Sequence, residues 1–141
     1  MPDEIAAGPP KETPVLIRLE TDIVTARQQG RALAVGIGCT RGDVTRIATA
    51  ISELGRNILE YAREGEIVFT PIEKAGKKGI QVMARDRGPG IPDIALAMQD
   101  GYSTGKNLGL GLPGTRRLMD EFNIESAVGK GTIVTIKKWM G

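Results

Sequence analysis

Residues 49–62, TAISELGRNILEYA, decide the fold of this chain. Ile51, Leu54, Ile58 and Ala62, continuing Val44 and Ile47 upstream, recur at three- and four-residue steps, the spacing of one apolar helix face. Glu53 and Asn57 are one helical turn apart and off that stripe, so both can address one ligand. Asn57 offers a neutral oxygen of the kind Mg²⁺ takes alongside waters and substrate phosphates. Glu53 is a carboxylate able to accept a proton from an attacking hydroxyl or water. Read in isolation, the same two residues are the solvated side of a surface helix, and the segments downstream have to decide.

Asp86 closes the apolar run GIQVMARD and is followed by Arg87, Gly88, Pro89, Gly90 and Ile91, so a carboxylate at a strand end meets backbone able to turn sharply. Such an acid accepts a hydrogen bond from the adenine amino group. Guanine lacks that donor, and the unpaired polar group it would leave costs roughly 1–3 kcal/mol. A plain Asp-Gly turn is the alternative. Gly109, Leu110, Gly111, Leu112, Pro113 and Gly114 have the form Gly-x-Gly-x-x-Gly, but a polar loop precedes them and no acid-bearing parallel strand follows, which excludes a dinucleotide fold. What these glycines offer is exposed amides at a helix N-terminus, where the dipole favours phosphate; close helix packing is their other use. Gly129, Gly131 and Thr132 form a fourth element, either a hairpin turn alone or a turn that brings a hydroxyl near adenine. Lys106, in the polar segment GYSTGKNLG, is a candidate for the γ-phosphate or a solvated loop lysine. Together these segments read as a site for ATP and Mg²⁺ without a P-loop.

Composition narrows the field from the other side. The 141 residues suit one domain, and a net charge of +2 gives no broad basic field for nucleic acid. No run approaches the roughly 20 apolar residues that span a bilayer, and MPDEIAAGPP lacks the order of a secretory leader, so a cytoplasmic protein without membrane contact is expected. Cys39 stands alone and reads as an inert thiol. The count of histidines is zero, which closes phosphohistidine relays, histidine-based zinc proteases, Ser-His-Asp hydrolases and the His-Arg-Asp loop of ordinary protein kinases.

Around these segments the chain reads as a tail over residues 1–13 and one domain over 14–141. VLIRLE is a first strand, Thr21 an N-cap, and Ile23, Ala26, Gly30, Leu33 and Ile37 a first helix stopping at Gly38. Thr40 and Asp43 open the second helix, with Gly65 as its stop. EIVFTPIE and GIQVMARD form a hairpin about KAGKK, and Pro71 places the first of them toward an edge. A short helical stretch near residues 93–100 and a third helix over about 110–122, with Pro113 in its first turn, follow. NIESAV, GKG and TIVTIKKW close the chain as a second hairpin. The expected fold class is an α/β (α+β) two-layer sandwich, a mixed, mostly antiparallel sheet covered on one face by three main helices.

The order Glu53-x-x-x-Asn57, Asp86-x-Gly88-x-Gly90, Gly109-x-Gly111 and Gly129-x-Gly131-Thr132 resembles the N, G1, G2 and G3 boxes of the GHKL superfamily, the gyrase, chaperone, histidine kinase and MutL group with the Bergerat ATP fold. The likeness covers nearly everything after Pro14. Within that group TAISELGRNILEYA, DRGPGIPDI and GLGLPGTRRLMDEF are similar to the small bacterial anti-sigma-factor serine kinases, the stressosome switch kinases in particular. The resemblance implies a serine/threonine kinase using ATP, with Asn57 on Mg²⁺, Glu53 as base, Asp86 reading adenine, and residues 93–112 as a lid over the phosphates. It also implies partners: STAS-domain proteins as substrates, and a PP2C-type phosphatase activated by the released kinase. Some of these kinases carry an arginine two residues before Gly109, where this chain has Asn107, which leaves Lys106 as the candidate. Two other activities stay open: an ATP-gated module that binds a sigma factor or phosphatase without phosphotransfer, and a free ATPase.

Overall fold

The computed structural model describes residues 13–90, 98 and 111–140. Five strands and three helices follow in the order β1 (Thr13–Ile17), α1 (Glu20–Gly36), α2 (Arg41–Tyr61), β2 (Gly65–Lys74), β3 (Lys77–Asp86), α3 (Gly111–Leu118), β4 (Glu121–Ala127) and β5 (Gly131–Trp139). They build one sheet in the order β1-β2-β3-β5-β4, and each of its four pairings is antiparallel. The two-layer sandwich is therefore present, and the sheet, expected to be mostly antiparallel, is antiparallel throughout among the described residues. The short helical stretch read near residues 93–100, residues 1–12 of the N-terminal tail and most of the proposed lid lie outside the described residues, Met98, Gly111 and Leu112 excepted; Thr13, read as the end of the tail, instead opens β1 opposite Phe69.

Strand alternation sorts the side chains. Val15, Ile17, Ile67, Phe69, Ile80, Val82, Ala84, Val134 and Ile136 meet Ile23, Ala26, Ala34, Val44, Ile47, Ile51, Leu54, Ile58, Leu112 and Met119 in one continuous core. The α2 stripe read from the sequence thus packs on the sheet, with Ile47 and Ile51 fully buried. Burying such side chains contributes roughly 1.5–3 kcal/mol each, which fixes the rotation of α2 and with it the direction of everything off the stripe.

Three helix boundaries differ from the sequence reading. Helix α1 starts before Thr21, because the Asp22 carboxylate reaches back and accepts the N–H groups of Arg18 and Leu19, both at 2.9 Å. Helix α2 opens at Thr40 as expected, its side chain accepting the Asp43 N–H at 3.1 Å. It stops before Gly65: Arg63 takes φ +72° and turns the chain, and Gly65 already pairs with Asp86. Helix α3 ends at Leu118, short of Phe122, since the Asp120 N–H goes to the Lys137 carbonyl at 3.0 Å and Phe122 pairs with Ile136 in the sheet. Strand β2 is second in the sheet; among the described residues its pairing with β1 covers Gly65–Phe69, and Pro71 lies beyond it, opposite Ile80 of β3. The β2–β3 hairpin turns through Ala75 and Gly76, both at positive φ, as a two-residue loop requires.

Candidate functional site

Helix α2 works as a ruler along the site. From Glu53 to Ala62 is nine residues, a rise of about 13 Å, and a different motif segment meets the helix at each end. At the Ala62 end lies the loop after β3. Gly88 has no room for a side chain: a Cβ there would come within 2.6 Å of the Ala62 Cβ and 3.2 Å of an Asp86 carboxylate oxygen. At the Glu53 end lies the start of α3, where the Gly111 N–H donates to Glu53 Oε1 at 3.1 Å.

The Asp86 corner is assembled from both hairpins. Asp86 is the last residue of β3 and stands directly opposite Thr132 of β5 in the register. Its Oδ1 accepts the Gly88 N–H at 2.9 Å. Burial raises the Asp86 pKa above its ordinary value, while hydrogen bonds from the Gly88 and Thr132 backbones pull it part of the way back. Thr132 is buried, and its Oγ1 is hydrogen-bonded to Ser126 Oγ at 2.8 Å. Gly131 takes φ +87°, and a Cβ on it would run into the Asp86 carbonyl oxygen, so the GKG turn can lie on the Asp86 backbone only as glycine. The Gly129 N–H donates to the Pro89 carbonyl at 2.9 Å and ties the two loops together. Gly90, at φ +83°, packs against the backbone of Ala127.

Glu53 is only 4% exposed. The sequence suggested a surface helix position; the start of α3 covers it instead. Its second oxygen, Oε2, accepts Nη2 of Arg56 at 2.7 Å. Asn57 is half-buried on the same helix, one turn on. Leu112 is buried in the core and Gly111 is half-buried at φ +68°, which turns its amide toward α2. Ile91, Lys106, Gly109 and Leu110 lie outside the described residues.

Of the twelve positions read from the sequence, Asp86, Gly88, Gly90 and Thr132 thus form one cluster, Glu53, Gly111 and Leu112 a second, and α2 carries Asn57 between them. The sequence reading missed Arg56 and the acceptor role of Glu53 toward Gly111. The first had a signal, the i,i+3 spacing of Glu53 and Arg56. The second, a contact 58 residues apart, had none. A separate groove of about 690 Å³ lies at the far end of the sheet, lined by residues including Asp43, Lys74, Asp120, Lys138 and Trp139. It shares no residue with either cluster and is crossed by ion pairs from Lys138 to Asp120 at 3.3 Å and Asp43 at 3.7 Å.

A strand-end acid beside a glycine corner, a helix carrying a carboxylate and an amide, and a glycine-led helix N-terminus define a nucleotide-binding α/β sandwich. The chain belongs to the histidine kinase-like ATPase domain family, whose model matches residues 17–138. ATP is the nucleotide of that family's fold. Among its relatives the chain is 52% identical over 126 residues to the serine/threonine-protein kinase RsbT of Bacillus subtilis, across 89% of this chain and 95% of that protein. It is 34% identical over 121 residues to the anti-sigma F factor of Thermoanaerobacter sp. strain X514, across 82% and 84%. In three dimensions it resembles the RsbU and RsbW domains of a Mycobacterium tuberculosis protein, with TM-score 0.60 and 24% identity over 93% of this chain and 33% of that one. It also resembles the mycobacterial sensor histidine kinase MprB, with TM-score 0.55 and 15% identity over 92% and 97%. At those identities the two structures support the fold. Among the described residues no helix is long and apolar enough to cross a membrane.

Proposed function

We propose that this protein is a serine/threonine kinase that transfers the γ-phosphoryl group of ATP to a hydroxyl of a small protein partner. The observation that carries the reading is the Glu53–Gly111 hydrogen bond, which joins the candidate base to the candidate phosphate cradle. The 52% identity to a protein named as a serine/threonine kinase supports the choice of reaction. In this reading Asp86 accepts the adenine amino group, with Thr132 beside it and Gly88, Gly90 and Ile91 shaping the corner. Residues 93–112 close over the phosphates as a lid, with Lys106, Gly109 and Leu110 contributing from it. The protein works in the cytoplasm.

The residues suit Mg²⁺ that arrives with its nucleotide. Among the described residues no three acidic, cysteine or histidine side chains gather to make a cage of their own, and Asn57 supplies a single neutral oxygen. Mg²⁺ keeps waters and phosphate oxygens as its other ligands and offsets phosphate charge when bound. The protein's own work is positional. Glu53, fixed by Gly111, takes the proton of the partner hydroxyl as its oxygen bonds to the γ-phosphorus; the bond from that phosphorus to the bridging oxygen breaks, and ADP leaves with the electron pair. Amides at the start of α3 favour the charge that builds on the phosphates.

The partners proposed are an STAS-domain protein as phosphoacceptor and a PP2C-type phosphatase bound after release, within a switch that regulates a sigma factor. Incubation with labelled ATP and an STAS partner tests this: label on partner serine or threonine is expected, with Glu53→Gln abolishing transfer while keeping nucleotide. Transfer that survives in Glu53→Gln removes the base assignment, and no transfer by the unaltered protein removes the kinase. The 34% likeness to an anti-sigma F factor favours one rival, a module that grips a sigma factor through ATP alone. That rival keeps its partner function in Glu53→Gln.

A further inference from the structure

Arg56 and Glu53 form an asymmetric pair. The Glu53 side chain is 3% exposed and held on its other oxygen by Gly111, whereas the Arg56 side chain is 40% exposed. The acid is fixed and the guanidinium has solvent on its outer side. A half-exposed ion pair is worth little, so Arg56 can exchange its partner at small cost. It occupies Oε2, the oxygen not engaged by Gly111 and therefore the one best placed to take a proton. Arg56 and Asn57 lie three and four residues after Glu53, so both flank that carboxylate on the side of the helix proposed for the metal and the terminal phosphates. A phosphate carries more charge than a carboxylate and fits the planar fork of arginine with two parallel hydrogen bonds. Arg27 donates to Ser52 Oγ at 3.2 Å from the α1 side.

We propose that Arg56 binds the γ-phosphate and masks Glu53 until a triphosphate is present. The guanidinium exchanges Glu53 Oε2 for an oxygen of the terminal phosphate, which leaves Oε2 to receive the proton of the partner hydroxyl. With ADP there is no terminal phosphate to compete, and the base stays covered. The proposal rests on the kinase reading above, and it makes Arg56 the residue that separates ATP from ADP.

Calorimetric titration of the full chain with Mg²⁺ and either a nonhydrolysable ATP analogue or ADP tests it. Arg56→Ala is expected to weaken the analogue about tenfold, the loss of one charge-assisted contact at a partly exposed site, while ADP changes by about twofold or less. Arg56→Lys keeps a charge against Glu53 without the fork, so the ATP-to-ADP preference falls several-fold in a protein that still satisfies the buried acid. Glu53→Gln loosens the competing partner and raises analogue affinity relative to ADP, an effect that a merely structural ion pair does not give. Equal losses for both nucleotides in Arg56→Ala, an unchanged preference in Arg56→Lys, or an unchanged preference in Glu53→Gln would each overturn the proposal. If the unaltered protein phosphorylates its partner while the arginine variants keep their preference, Arg56 loses this role and the kinase stands. If the folded, unaltered protein binds neither nucleotide, both fall.

Discussion

Replacing Glu53 by alanine or by glutamine separates its structural role from its chemical one. The carboxylate is buried and accepts two donors: the Gly111 N–H at 3.1 Å, reaching across from α3, and Arg56 Nη2 at 2.7 Å from its own helix. Alanine leaves the Gly111 donor without its acceptor in a half-buried place, a cost of about 1–3 kcal/mol. Loss of the Arg56 pair adds less than about 1 kcal/mol, because that guanidinium is half in solvent. Removing a charge from a buried site gives some of this back. The expected loss for Glu53→Ala is therefore about 2 kcal/mol. Glutamine has nearly the same volume and retains an oxygen that accepts the Gly111 N–H, so Glu53→Gln should stay within about 1 kcal/mol of the parent. Urea unfolding reads the difference as a shift in midpoint at constant slope. Hydrogen exchange at the Gly111 amide adds a local probe, with faster exchange expected in the alanine variant alone. Phosphotransfer should vanish in both. Equal stability of the two variants, or a Gly111 amide whose exchange ignores the substitution, would refute the claim that this carboxylate holds the start of α3.

Three further outcomes follow from the same coordinates. Asp86 has a folded pKa above its ordinary 3.8, so the native state binds more protons than the unfolded chain in the window from that value up through the raised one, and stability falls as pH rises across it. Asp86→Asn has nothing to ionise, so its stability advantage over the parent should open as pH rises through that window while adenine preference is lost; an advantage that is constant in urea titrations at pH 4 and pH 7 would contradict this. Gly131→Ala forces a side chain onto φ +87° and into the Asp86 carbonyl, and should cost about 2 kcal/mol or more in urea midpoint, with nucleotide binding weakened beyond what unfolding explains. Lys138→Met removes contacts to Asp120 at 3.3 Å and the Leu118 carbonyl at 3.3 Å, at the far end of the sheet, and should cost about 1–2 kcal/mol while leaving nucleotide affinity unchanged by calorimetry.

Local signals survived into the structure where one interaction dominated. The α2 stripe was legible because Ile47, Ile51, Leu54 and Ile58 share one environment, the sheet, and a single period records it. The Thr40 cap was legible because a hydroxyl accepting an N–H three residues on is a purely local bond. The ends of α2 and α3 were not, since the ladder with β3 and β5 outbid the helix for Gly65 and Phe122, and that competition is between distant segments.

From its sequence alone this protein declared an α/β sandwich, an apolar helix bearing Glu53 and Asn57, an acid at the end of a strand and glycines where backbone must turn, because residue type and spacing along one element fix propensity, periodicity and chemical repertoire. Tertiary structure alone decided that Glu53 would be buried under the first amide of α3 and that Gly131 would lie on the Asp86 backbone. Those facts depend on how segments tens of residues apart come to rest against one another, a balance of packing and hydrogen bonding that no single stretch of chain contains.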